Sequence, residues 1–149
     1  MNIIVIILLI STALIVSYYT ICYSPIFPLS QKQKEEIRNN GLLHFTDFSN
    51  YDSIEKNGLI GSKSHMGFPQ TLLGEIIWMY SSSCNIEEKH NILCSTARGK
   101  QNNARYGICI HITQIPKENI NHMYTRKSDN AIVYRGKQLT GCIELIRKW

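Results

Sequence analysis

Leu42-Leu43-His44-Phe45-Thr46 is a short apolar run set behind Gly41, and it reads as a strand. Ser49 then offers an N-cap, with Asp52 three residues on in the capping-box position. Tyr51 and Ile54 fall on one face of the helix that follows. Lys56-Asn57-Gly58 ends that helix, because Gly58 suits the left-handed position just past a C-terminus. Leu59 and Ile60 pack back. The unit is strand, turn, short helix, glycine stop, apolar pair.

Further along, residues 106–115 alternate. Ile108, Ile110 and Ile112 point one way, and Cys109, His111 and Thr113 the other, until Pro116 ends the strand. Ala131-Ile-Val-Tyr-Arg135 is a second clear strand, stopped at Gly136, and residues 143–149 close the chain. Between these parts, residues 61–69 read as a loop containing His65. Thr71 caps an expected helix to about Ser81, with Leu72, Leu73, Ile76, Ile77, Met79 and Tyr80 as its buried face and Gly74 allowing close packing. A further helix is expected near residues 86–94, then a basic loop with Arg98, Lys100 and Arg105. Strands and helices mixed in this order make the class α+β.

The chain has 149 residues, 16 Lys+Arg, 11 Asp+Glu, a formal net charge of +5 and a pI near 9.0. Its first charged side chain is Lys32. Residues 3–23 are apolar apart from Ser11, Thr12, Ser17 and Thr20. A helix over that run spans roughly 32 Å, enough for a hydrocarbon core of about 30 Å. Tyr18, Tyr19 and Tyr23 gather at its end, and Pro25 and Pro28 follow. No Lys or Arg precedes it and no small-x-small cleavage site follows, which favours an uncleaved single-pass span over a signal peptide. Lys32, Lys34 and Arg38 just after it place the C-terminal domain in the cytoplasm by the positive-inside bias. The expected organisation is a transmembrane helix over 1–24, a linker over 25–40 that includes a short polar stretch able to form a helix, and a domain over 41–149. Next to a membrane span, the lipid bilayer is the simplest partner for the surplus positive charge; a solvated face or a nucleic-acid patch are the alternatives.

No phosphate-loop, dinucleotide, zinc-protease or nucleophile-elbow motif is present. Cys84, Cys94, Cys109 and Cys142 show no Cys-x-x-Cys spacing, and the His residues show no ligand spacing with them, so no metal is expected. Cys109, inside a strand pattern, reads as a buried free thiol.

His44-Phe45-Thr46 followed by Ile54…Gly58-Leu59 resembles the opening of the ADP-ribosyltransferase-like superfamily, which includes thymidine ADP-ribosyltransferases, tRNA 2′-phosphotransferases and several toxin domains. Residues 108–115 with Pro116, then Ala131–Arg135 with Gly136, Leu139 and Ile143, are similar to its later segments. The likeness runs in outline over residues 41–146. It implies a small split β-sheet domain with NAD, the substrate, held in a cleft between two sheets. On that likeness His44 donates to a ribose hydroxyl and Thr46 lines the pocket. Tyr80 or Tyr106 stacks on nicotinamide, and Arg98, Arg105 or Arg126 holds the pyrophosphate. The family's catalytic Glu usually begins the strand that here starts at Ala131. This chain has Ser128-Asp129-Asn130 instead, so Asp129 is the nearest carboxylate, one methylene shorter and displaced by about two residues. Two functions follow. One is transfer of ADP-ribose from NAD to an unidentified acceptor, with His44 and Asp129 as the catalytic pair. The other is a catalytically inactive binding or immunity-type module on the same scaffold. Without the likeness, His44 is a structural histidine, Tyr80 is core and Asp129 is a turn residue.

Overall fold

The computed structural model describes residues 2–22, 26–63, 74–95 and 106–149, with the backbone alone at 16–22 and 63. An N-terminal helix, α1, covers Ile3–Cys22. The rest is β1 (Ile26–Pro28), α2 (Gln31–Asn40), β2 (Leu42–Thr46), a 3-10 turn (Phe48–Asn50), α3 (Tyr51–Asn57), β3 (Leu59–Ile60), β4 (Ser62–Lys63) and β5 (Glu75–Ser81). Then come α4 (Ile86–Ser95), β6 (Ile108–Thr113), α5 (Lys117–Ile120), β7 (Met123–Arg126), β8 (Ala131–Arg135), β9 (Gln138–Leu139) and β10 (Cys142–Lys148). The class is α+β, as the sequence implies.

Among the described residues every strand pairing is antiparallel. The main sheet runs β1-β7-β8-β5-β2-β6-β10, with β4 also on β5, while β3 and β9 pair separately. It is two half-sheets sharing a narrow seam. β5 pairs with β8 from Ile76 to Met79, but meets β2 only at Leu42↔Ser81 and Leu43↔Tyr80. β2 pairs with β6 along its whole length. Beyond Leu43, β2 and β5 part, and the sheet forks.

The pleat sorts apolar residues onto two faces. Leu42, Ile77, Met79, Ile108, Ile110, Ile112, Met123, Ile132 and Tyr134 form one, covered by Leu29, Ile37 of α2 and Ile120 of α5. Leu43, Phe45, Tyr80, Cys109 and Ala131 form the other, under Trp78, Ile86, Leu93 and Tyr106. On that second face the Trp149 ring lies 3.7 Å from His90 and 6.0 Å from Phe45, stacked on both. Its Nε1 donates to Glu87 at 3.1 Å, and Arg147 pairs with Glu87 at 3.1 Å. These contacts tie α4 to the end of β10.

Several expectations need correction. The run ending at Ser81 is a strand, not a helix, over its described part; residues 71–73 lie outside the described residues. Both faces of β5 are buried, so the run is apolar throughout and its period is hidden. Gly74 does not serve close packing, since a Cβ there would meet nothing within 4 Å. Residues 25–40 are more than a linker. Phe27 pairs with Thr125, Ser30 and Gln33 form a capping box, and Ile37 is buried. Asp47, not Ser49, caps the turn before α3: Ser49 N donates to Asp47 Oδ1 at 2.8 Å. The strand of residues 123–126 goes beyond the sequence reading. His65, Arg98, Lys100 and Arg105 lie outside the described residues.

The N-terminal segment is also corrected. It is helical, but among the described residues no helix is long and apolar enough to cross a membrane. The transmembrane helix of the expected fold, the single-pass membrane location and the cytoplasmic orientation drawn from it are therefore not supported.

Gly58 ends α3 as expected, with φ +77° and its N–H donating to Ile54 O at 2.7 Å. A Cβ there would meet Leu139 O at 2.5 Å, whereas Gly74, at φ +75°, faces open space. Gly58→Ala should therefore cost clearly more stability than Gly74→Ala, which carries only the backbone strain of about 1 kcal/mol. Urea titrations of the two variants check this, and equal losses would show that the Leu139 contact yields freely.

Candidate functional site

His44 sits where the sheet forks. Its backbone pairs with Ile110 on β6, while on its other side the ladder to β5 has stopped one residue earlier. The side chain fills the gap: Nδ1 lies 2.8 Å from the Trp78 carbonyl oxygen. A carbonyl only accepts, so Nδ1 carries the hydrogen and Nε2 keeps its lone pair. Burial lowers the pKa of this imidazole below 6.5, against a smaller opposite effect from the Trp78 hydrogen bond. The ring is therefore neutral at pH 7. Nε2 can accept a hydrogen bond from a ligand hydroxyl, which reverses the donor role that the family likeness implies.

Thr46 follows two residues later on the same side of β2. Its Oγ1 accepts a hydrogen bond from Asn50 Nδ2 at 3.1 Å. Asn50, in the turn before α3, has no place in the sequence-based site. Only its spacing of four residues from Thr46 hints at the contact.

The other candidates belong to the opposite face. Tyr80 pairs with Leu43, one residue before His44, so the pleat turns their side chains apart. Tyr80 is buried and meets Phe45 edge-on, with centroids 5.9 Å apart. Lys89 Nζ lies 4.5 Å above its ring. Burial, helped by the negative charge of Asp129, pushes its hydroxyl up to about 12. This ring is occupied as core and is not an open stacking platform. Tyr106 packs, half-buried, into the same cluster. Arg105 and Arg98 lie outside the described residues.

Asp129 occupies the turn between β7 and β8. Arg126 grips it with both arms of its fork, Nε to Oδ1 at 2.8 Å and Nη2 to Oδ2 at 2.5 Å. Ala131 N–H adds a contact to Oδ1 at 3.3 Å. The Arg126 guanidinium rests 4.3 Å above the Trp78 ring, so this arginine is engaged twice. Burial opposes the charged carboxylate. Arg126, Ala131 N–H and Lys89 together outweigh burial and hold the carboxyl below the usual carboxylate value. Arg126 and Ala131 pair across the strands in the row that continues to Tyr80, and both belong to the face opposite His44. The expected catalytic pair, His44 with Asp129, is thus not brought together.

Cys84, Cys94, Cys109 and Cys142 are free thiols; burial first, then Cys84, pushes Cys109 up to about 12. Among the described residues no group of His, Cys, Asp and Glu could hold a metal ion. No family model, curated protein or solved structure matches this chain.

The Asp129 carboxyl has a depressed folded-state pKa, so its stabilising effect is complete above the unfolded value near 3.9 and is lost as pH falls through the folded value. Asp129→Asn should flatten the acid limb of stability below about pH 4, relative to wild type. Chemical denaturation at a series of pH values from 2 to 6 measures it. Parallel acid limbs would mean that the Arg126 grip contributes nothing in solution.

Proposed function

We propose that this chain is a nucleotide-binding module of the ADP-ribosyltransferase-like type, one that holds NAD at the sheet fork and does not transfer ADP-ribose. The observation that carries this is the state of Asp129. Its two oxygens are committed to Arg126, and its turn lies on the sheet face opposite His44. Assisting departure of nicotinamide, or deprotonating an acceptor, needs a carboxylate within hydrogen-bond reach of the bound ribose. Asp129 is already paired with Arg126 through both carboxylate oxygens.

Support for the binding half comes from the fork. The split sheet is the form that the family likeness implies. The neutral His44 presents one lone pair, and its Nδ1–H is already used, so the ring is held in a fixed orientation before any ligand arrives. A ribose hydroxyl can donate to that nitrogen. Thr46 and Asn50 form a hydrogen-bonded wall two residues further along.

The test uses the whole chain with NAD, reading affinity by calorimetry and turnover by nicotinamide release. Binding without release is expected. His44→Asn keeps a donor where Nδ1–H stood and removes Nε2. It should weaken NAD by about tenfold, in keeping with the roughly 1–3 kcal/mol of a lost buried hydrogen bond, and leave the melting temperature nearly unchanged. Asp129→Asn should not alter NAD affinity. Nicotinamide release that Asp129→Asn abolishes would overturn the inactive assignment; no NAD binding at all would remove the fork as a nucleotide site.

A further inference from the structure

Strand β10 closes one end of the main sheet. It pairs with β6 alone, and among the described residues no strand covers its outer edge. Such an edge carries a row of main-chain N–H and C=O groups ready for a further strand. The register with β6 has one irregularity. Leu145 lies opposite Ile110 and Arg147 opposite Cys109, so Ile146 is an extra residue without a partner on β6. This bulge sorts the charges. Glu144 lies opposite His111, and His111 and Cys109 share a face of β6, so Glu144 and Arg147 stand on one face of the sheet. On a regular strand the same spacing would put them on opposite faces. Ile143, Leu145 and Lys148 take the other face, where Ile143 and Leu145 pack against the larger core cluster. Glu144 is exposed, and its carboxylate has no hydrogen-bond or ion-pair partner among the described residues. The Arg147 side chain is 56% exposed and meets Glu87 through one arm at 3.1 Å. A guanidinium fork has five N–H donors, so it can serve a second carboxylate without leaving the first.

We propose that the outer edge of β10 is the contact surface for a second copy of this chain, the two β10 strands pairing antiparallel about a two-fold axis at Leu145. With the bulged Ile146 left out of the ladder, that register sets Leu145 opposite itself, Glu144 opposite Arg147 of the second copy, and Ile143 opposite Lys148. The Glu144–Arg147 contact occurs twice, because a two-fold interface is self-complementary. The pleat agrees with it, since residues directly opposite on antiparallel strands share a face. The charges also choose the occupant. A strand entering this edge must bring a base opposite Glu144 and an acid opposite Arg147, and like charges there repel it. β10 read backwards meets that requirement. So few paired residues make a small interface, and the dimer is weak and concentration-dependent. The fork lies between β2 and β5, on the far side of β6 from this edge, so the dimer stands or falls apart from NAD binding.

Sedimentation velocity of the full chain over a range of concentrations tests it. Wild type should pass from monomer to dimer as concentration rises. Glu144→Arg sets arginine against arginine at both contacts, and Arg147→Glu sets glutamate against glutamate. Each variant alone should dimerise at least about tenfold more weakly than wild type, with a nearly unchanged melting temperature. An equimolar mixture of the two variants brings opposite charges back to both contacts, so it should form a mixed dimer about as tightly as wild type. A wild type that stays monomeric, a dimer that neither substitution weakens, or a mixture no tighter than its components would overturn the proposal.

Discussion

The hydrogen bond from His44 to the Trp78 carbonyl governs how the two halves of this sheet meet. An antiparallel ladder that stops leaves main-chain groups without partners, and a buried carbonyl without a partner costs free energy comparable to a lost hydrogen bond. β2 and β5 pair at only two positions before they part. A side chain then does what the next rung would have done. Because that side chain is an imidazole, the same bond that closes the seam also fixes which ring nitrogen bears the proton. Structure and chemistry at the fork therefore have one cause. Substitutions of His44 bear on both, which is why a variant that keeps the donor is more informative than one that deletes it.

The opposite face solves a different problem. Trp78 and Tyr80 give it two large rings, and each is topped by a cation, Arg126 over the first and Lys89 over the second. Arg126 also neutralises Asp129, so a half-buried carboxylate, a guanidinium and an indole form one linked unit. Positive charge that looks, in the sequence, like a means of gripping an anionic ligand is here consumed inside the protein.

What could be read from the sequence depended on whether the cause was local. β2, β6 and β8 are short apolar runs bounded by Gly or Pro, and α3 with its Gly58 stop is set by neighbours within a few residues. All are legible for that reason. β5 was hidden because burial on both faces erases its alternation. α2 was legible only as a short polar helical stretch and not as a packed element, because its single buried residue, Ile37, makes no stripe. The apolar character of residues 3–22 gave a correct helix and an unsupported span. The place of His44 on strand β2 was legible, but its partner Trp78 lies 34 residues away and nothing local announces it. The Asp129 grip is a matter of three residues, yet it arises from a turn bringing Arg126 back on itself, and spacing alone does not distinguish that turn from an open acidic site.

The strand order has a kinetic consequence. Central strand β2 takes its partners from β5 and β6, both distant in the chain, while β7 and β8 are joined by a four-residue turn. Loop-closure entropy must be spent before distant pairings return anything, so the β7–β8 hairpin is suited to nucleate and β2 to dock late. Until it docks, β5 and β6 each present an open edge. An open edge recruits whatever strand is nearest, including one from another molecule. At high concentration the productive route and intermolecular strand pairing thus compete for the same two edges, and how fast residues 42–46 find their slot sets the yield of folded protein.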